Sequence, residues 1–282
     1  AFMIFFPTQE IESWINEDAS LLDLTSHLLG IGAQPASLTV RTRHPVCVAS
    51  TEEAARLFEL LGASVSLMVP SGTRLPAGET LLAVQGRADA LHRGWKVAMN
   101  LLEHLCGIAT RTAEMVDKVR AVSPIPILVT RKHLPGTKKP LIKAILAGGA
   151  QPHRLGLCEP ILVFENHLRL LGGREQLPQL LAGMKDAACE KKIIVECDNL
   201  EEAWQAIDAG ADGLQFDKVA VEPLTRWCHE ISARHPSVAC LAAGGLRPDN
   251  IQDYARSGAH GLVLSSVYHA PPADLEVRID AA

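Results

Sequence analysis

The sequence has no C-x-x-C pair, although it carries seven cysteines (Cys47, Cys106, Cys158, Cys189, Cys197, Cys228 and Cys240). An odd, scattered set speaks against a disulfide framework and for a reduced, cytoplasmic protein in which most thiols serve as small core residues. It has no basic excess either: a formal net charge of −5 gives no support for bulk nucleic-acid binding, so any basic site is local. No long hydrophobic run occurs. The apolar opening, residues 1–6, reaches Pro7 without a basic flank or a small-residue cleavage site, and is expected to be neither a signal peptide nor a membrane span. H-E-x-x-H, G-x-S-x-G and phosphate-loop lysine motifs are missing, and Gly30-Ile31-Gly32 lacks the third glycine of a dinucleotide fingerprint. His167 has no other His or Cys at ligand spacing and reads as a structural hydrogen-bonding residue.

What is present is apolar and patterned. With 282 residues, 48% of them hydrophobic, the chain can build one large domain or two ordinary ones. Up to about residue 105 it mixes elements. Residues 37–49 alternate as strands around Pro45, residues 52–61 read as a helix, and Pro70-Ser71-Gly72 and Pro76-Ala77-Gly78 bracket a hairpin-like segment. Trp95, Ala98, Met99, Leu102, Leu105, Cys106 and Ala109 fall at three-and-four spacing, which predicts one long amphipathic helix joining two halves.

Beyond it, six short β-rich runs (125–130, 161–164, 193–196, 213–216, 238–242 and 261–264) alternate with helical stretches at 200–209, 223–233 and 248–256. Strands apolar on both faces between helices imply a parallel sheet with helices outside. Six strands are fewer than the roughly eight of a full barrel, so a modified or incomplete α/β barrel is as consistent as a complete one.

Reactive groups in such a fold follow the C-terminal strand ends. Here those ends carry Thr130-Arg131-Lys132, Glu165-Asn166-His167, Glu196, Asp217, Gly244-Gly245 and Ser265-Ser266, every one polar or glycine. The two last ends suit a phosphate, with backbone N–H groups and hydroxyls as donors, or are simply a tight turn and an exposed loop. Residues 131–158 contain no Asp or Glu but hold Arg131, Lys132, Lys138, Lys139, Lys143 and Arg154, with His133 and His153. That cluster would focus an anion at the barrel mouth, or is in part a solvated basic face. Glu196 and Asp217 end neighbouring strands; such a pair holds a divalent cation or vicinal ribose hydroxyls, or forms salt bridges.

At these residues the sequence resembles the quinolinate phosphoribosyltransferase (nicotinate-nucleotide pyrophosphorylase) family, and within it a branch associated with molybdenum transport operons. The resemblance rests on 96–102, 107–112, Thr130-Arg131-Lys132-His133-Leu134-Pro135-Gly136, residues 148–156 with His153-Arg154-Leu155-Gly156, and Glu165-Asn166-His167. It continues through Val195-Glu196, residues 209–212, Asp217 and Ala243-Gly244-Gly245. It implies an N-terminal α+β open-sheet domain (residues 1–105, joined by the tail 271–282) and an incomplete parallel α/β barrel of the type II phosphoribosyltransferase kind (residues 106–270). It further implies a pentosyltransferase that displaces pyrophosphate from phosphoribosyl pyrophosphate with Mg²⁺. Glu196, Asp217 and Lys132 would be catalytic, with Glu196 and Asp217 on the ribose and its metal. Arg131, His153 and Arg154 would hold the acceptor, Gly244, Gly245, Ser265 and Ser266 the phosphate, and Lys96 would reach across a homodimer into a shared active site.

Three departures from the family pattern bear on the acceptor. Lys96 stands for an arginine and loses its bidentate fork, Phe164 stands for a lysine, and Ala242-Ala243 lack a serine hydroxyl. The expected acceptor is therefore a nitrogen heterocycle other than the dianion quinolinate. Two rivals remain at this level: a Schiff-base enzyme using Lys132, and a diverged sensor for a phosphorylated ligand or an oxyanion.

Overall fold

The computed structural model describes residues 4–282, and the first three residues of the apolar opening lie outside them. Two compact units form. One contains the chain as far as Glu114, His133–Gly149 and Val267–Ala282; the other contains Met115–Lys132 and Ala150–Ser266.

The first unit opens with helices α1 (Thr8–Ala19) and α2 (Leu24–Leu29), followed by β1 (Pro35–Thr42), β2 (Val46–Cys47), α3 (Thr51–Leu60), β3 (Ser64–Met68), β4 (Arg74–Leu75) and β5 (Thr80–Arg87). In β1 every second residue is buried (Ala36, Leu38, Val40, Thr42), the signature of a sheet with one face on a core. The antiparallel sheet runs β3, β5, β1 and then the C-terminal strand Leu275–Ala281, which pairs with β1 from Ala36 to Thr42. The segment between the two proline turns does not close on itself as a hairpin: β4 pairs with β2 instead.

Helix α4 (Ala88–Arg120) carries the chain from the first unit into the second. It is longer than the pattern at 95–109 because Ala88, Ala90 and Leu91 extend the buried stripe at its start, and Ala113, Met115, Val116 and Val119 at its end. Gly107 sits mid-helix because a Cβ there would lie 2.2 Å from the Pro271 carbonyl oxygen. Helix α5 (Lys138–Ala147) belongs to the first unit.

The second unit is a wholly parallel sheet of seven strands: β6 (Ile127–Val129), β7 (Gln151–Pro152), β8 (Ile161–Val163), β9 (Ile193–Cys197), β10 (Gly213–Asp217), β11 (Ala239–Ala243) and β12 (Gly261–Leu264). Their order is β7-β6-β12-β11-β10-β9-β8, so β7 and β8 are edges and the barrel stays open between them. The count exceeds the six read from the sequence because β7 is only two residues long and ends in proline, leaving no alternation to detect. Helices α6 (Glu165–Leu170), α7 (Leu177–Ala187), α8 (Leu200–Asp208), α9 (Val221–Arg234) and α10 (Ile251–Ala255) connect the later strands. The last is shorter than the expected 248–256, because Arg247 to Asn250 form a turn, with the Asn250 N–H on the Arg247 carbonyl at 3.2 Å. Inside the sheet Leu241, Ala243 and Val263 pack with Leu128 and Ile194; on the other face Phe216 meets Trp227 of α9 at 5.5 Å. Among the described residues no helix is long and apolar enough to cross a membrane.

Candidate functional site

Register determines which side chains share the inner face. Gln215 of β10 stands opposite Glu196 of β9 and Leu241 of β11, and Asp217 stands opposite Ala243. Because successive strand residues alternate, Ile194, Glu196, Gln215, Asp217, Leu241 and Ala243 face the same side, with the carboxylates toward the C-terminal rim. Strand β8 pairs with β9 through Val163 and Val195, which brings the next residue, Phe164, alongside Glu196.

Glu196 is half-buried, and burial pushes its carboxyl above the ordinary glutamate range. The Gln215 amide, donating to Oε2 at 3.0 Å, opposes that rise; the charges of Asp217 and Asp198 add to it, and Lys132 counters it. The Glu196 backbone carbonyl accepts from Arg174 Nη2 at 3.0 Å, and the same nitrogen lies 2.7 Å from Glu202. The exposed Lys218 lies with its Nζ 3.8 Å from Asp217 Oδ2. The two carboxylates and Lys132 are thus electrostatically coupled.

On the other side of the sheet, Arg131 and Lys132 are exposed just past β6, where the Lys132 N–H donates to Thr130 Oγ1 at 3.2 Å. His153 follows β7 and donates its N–H to the Val129 carbonyl at 2.8 Å. Its Nε2 is buried with no hydrogen-bond partner among the described residues, and burial, then the Arg154 charge, hold the ring below the ordinary histidine range. Arg154 is itself lowered by burial and by Arg131. Two crowded guanidiniums beside a neutral imidazole suit a planar anionic or polar group.

After β11 the chain turns through Gly244 (φ +76) and Gly245 (φ +70). A Cβ on Gly244 would stand 2.4 Å from Asp217 Oδ1, so only glycine lets this loop lie against that carboxylate. The turn is held by the Lys218 N–H on the Ala243 carbonyl (2.7 Å) and Asn250 Nδ2 on the Gly245 carbonyl (3.0 Å). Half-buried Ser265 and exposed Ser266 follow β12, and the Ser266 hydroxyl reaches the Leu246 carbonyl at 3.4 Å, tying the two loops together.

Phe164 is half-buried, its ring 4.2 Å from that of His167 in an edge-on contact, and its N–H donates to His167 Nδ1 at 3.2 Å. Lys96 lies exposed on α4 in the first unit, its Nζ 5.5 Å from the Trp95 ring centroid.

The cationic stretch 131–158 does not act as one cluster. Lys143 is buried in the first unit, its Nζ 2.9 Å from Glu52 and bonded to Glu53, and Lys139 pairs with Glu10 at 2.6 Å. Their charge is neutralised by carboxylates distant in sequence, and the strand-end cations Arg131, Lys132 and Arg154 are what remain near the rim. Two residues absent from the sequence reading join them. Gln215 was detectable as the residue two before Asp217 on one strand; nothing local marked Arg174. No group of three or more His, Cys, Asp or Glu among the described residues could hold a metal, so an ion here would rest on Glu196 and Asp217 with substrate or water oxygens.

Residues 23–106 match the family model for the quinolinate phosphoribosyl transferase N-terminal domain, and residues 108–278 that for its C-terminal domain. ModD of Pasteurella multocida, provisionally named a pyrophosphorylase, is 35% identical over 279 residues, covering 99% of both chains. The human nicotinate-nucleotide pyrophosphorylase (carboxylating) is 32% identical over 275 residues, covering 96% of this chain and 91% of its own. Among solved structures, NadC of Streptococcus pyogenes superposes with a TM-score of 0.90 at 22% identity, covering 100% of each chain, and shares the fold.

Proposed function

The chain belongs to the quinolinate phosphoribosyltransferase family, and from that premise we propose that it transfers a phosphoribosyl group from phosphoribosyl pyrophosphate to a nitrogen heterocycle other than quinolinate, releasing pyrophosphate. The supporting observation is the alignment, on consecutive parallel strands, of Glu196, Asp217, the Gly244-Gly245 turn and Ser265.

In this reading Glu196 and Asp217 hold the ribose hydroxyls, and the glycine turn with Ser265 and Ser266 holds the 5′-phosphate through N–H and O–H donors. Glu196 and Asp217 would hold Mg²⁺, which would supply neutralisation of the leaving group's charge. Lys132, coupled to Glu196, contributes a fixed cation near the reacting carbon. Transfer breaks the C1–O bond to pyrophosphate and forms a C1–N bond to the ring, so orientation and charge placement supply most of the rate. Arg131, His153 and Arg154 orient the acceptor, and Phe164 offers it an apolar ring where a cation would favour a second carboxylate. A homodimer in which Lys96 completes the partner's site, a cytoplasmic setting and a link to molybdate handling belong to the same proposal.

The test is calorimetric titration of phosphoribosyl pyrophosphate with magnesium into the wild type, Glu196→Ala and Asp217→Ala. Binding by the wild type and its loss in both variants is expected; equal binding by all three would reject these roles.

A further inference from the structure

Gln215 occupies a position that packing alone would give to an apolar residue. It stands between Glu196 on β9 and Leu241 on β11; Leu241 and Ile194, two residues before Glu196 on the same face, belong to the apolar inner cluster, and Gln215 is only 6% exposed. Its Nε2 faces the Glu196 carboxylate at 3.0 Å, and since a carboxylate only accepts, that contact fixes the orientation of the amide. The carbonyl end, Oε1, is then buried with no hydrogen-bond partner among the described residues. An unpaired buried acceptor is costly to a fold, and an apolar side chain there would avoid the cost.

We propose that Gln215 is a specificity-determining residue whose Oε1 accepts a hydrogen bond from a ribose hydroxyl of the bound phosphoribosyl group. An acceptor oxygen has little to offer a carboxylate or a phosphate, which at neutral pH carry mostly acceptor oxygens, so its natural partner carries O–H or N–H. Of the two, the ribose is favoured by placement. The amide is anchored to Glu196 and lies on the same strand face as Asp217, the two carboxylates assigned above to the sugar. This inference rests on that assignment. A site that hydrogen-bonds a hydroxyl rejects the analogue lacking it, because its own buried group is left unpaired. Gln215 therefore selects ribose over deoxyribose.

The test titrates ribose 5-phosphate and its 2-deoxy and 3-deoxy analogues, with magnesium, into full-length wild type, Gln215→Met and Gln215→Glu. Methionine fills the space without an acceptor, and glutamate keeps an acceptor oxygen on the same stem while its other oxygen shares a proton with Glu196, because two carboxylates so close do not both ionise. The expected result is that methionine weakens ribose 5-phosphate binding about tenfold and abolishes discrimination against one deoxy analogue, the loss of one ordinary hydrogen bond. Glutamate retains that discrimination. A packing role predicts the reverse, with methionine tolerated and glutamate not, and that pattern overturns the proposal. So does loss of binding to magnesium titrated alone in Gln215→Met, which would make the amide a cation ligand. Failure of the wild type itself to bind ribose 5-phosphate or phosphoribosyl pyrophosphate would instead remove the ribose assignment, and this inference with it.

Discussion

Alanine at Gly244 tests whether the turn after β11 exists to seat Asp217. The added Cβ would lie 2.4 Å from Asp217 Oδ1, 2.7 Å from Lys218 Cγ and 3.0 Å from the Lys218 nitrogen. Comfortable carbon contacts begin near 3.5 Å, so the carboxylate must move by roughly 1 Å. The residue also keeps φ +76, a left-handed conformation costing an L-residue about 1–2 kcal/mol. Gly245→Ala is the stability reference: its φ is +70, but its Cβ meets nothing within 4 Å. By that comparison Gly245→Ala should lower Tm by about 2–4 °C and Gly244→Ala by clearly more. If the displaced carboxylate forfeits one charge-assisted hydrogen bond of about 1.5–3 kcal/mol, phosphoribosyl pyrophosphate binding falls roughly 10- to 100-fold in Gly244→Ala. Thermal unfolding and calorimetry read the two effects separately. Wild-type affinity in Gly244→Ala, or stability no lower than that of Gly245→Ala, would refute the reasoning.

Lys143→Ala leaves Glu53 buried without its cation and should cost about 3–5 kcal/mol in chemical denaturation, whereas an exposed lysine pair would cost under about 1. In the wild type, burial alone would push Glu52 up, but the Ser71 hydroxyl and Lys143, with the Ser71 N–H, hold it below its ordinary 4.5. Its contribution to stability is thus complete above pH 4.5 and fades as the pH falls further; removing Lys143 should flatten that acid limb. Asp198→Asn removes an exposed charge that raises Glu196, so the acid limb of phosphoribosyl pyrophosphate binding should move to lower pH; a shift upward, or none, counts against the coupling. Phe164→Lys restores a cation beside Glu196 and should raise kcat/KM with quinolinate at least about tenfold, roughly one charge-assisted contact; unchanged turnover would remove Phe164 from acceptor choice.

Regular elements were the most legible in sequence. Strand β10 reads in sequence as 213–216, one residue short of its end at Asp217, because a helix stop precedes it and Leu214 and Phe216 alternate on one face, and the residue after that run is a site residue. Strand β7 could not be read, since Gln151-Pro152 gains its strand character only by lying beside Leu128 and Val129. The charges divide the same way. Arg131 and Lys132 were readable from their place after a strand, but Lys143 was misread because its partners Glu52 and Glu53 lie some 90 residues away in sequence. Strand alternation could place Gln215 on the face of Asp217, but its role was hidden for a different reason: its polarity becomes informative only once burial shows that one end of its amide has a partner and the other has none among the described residues.

In the function proposed above, phosphoribosyl transfer goes to a ring nitrogen that is not quinolinate's. Pyrophosphate release from phosphoribosyl pyrophosphate, measured with magnesium across a panel of neutral, monoanionic and dianionic nitrogen heterocycles, tests it most directly. Release is expected with at least one neutral or monoanionic ring, with quinolinate slower by about 100-fold, the effect of one or two lost charge-assisted contacts. Quinolinate as the best acceptor would contradict it, as would binding of the phosphoribosyl donor with no pyrophosphate released by any ring.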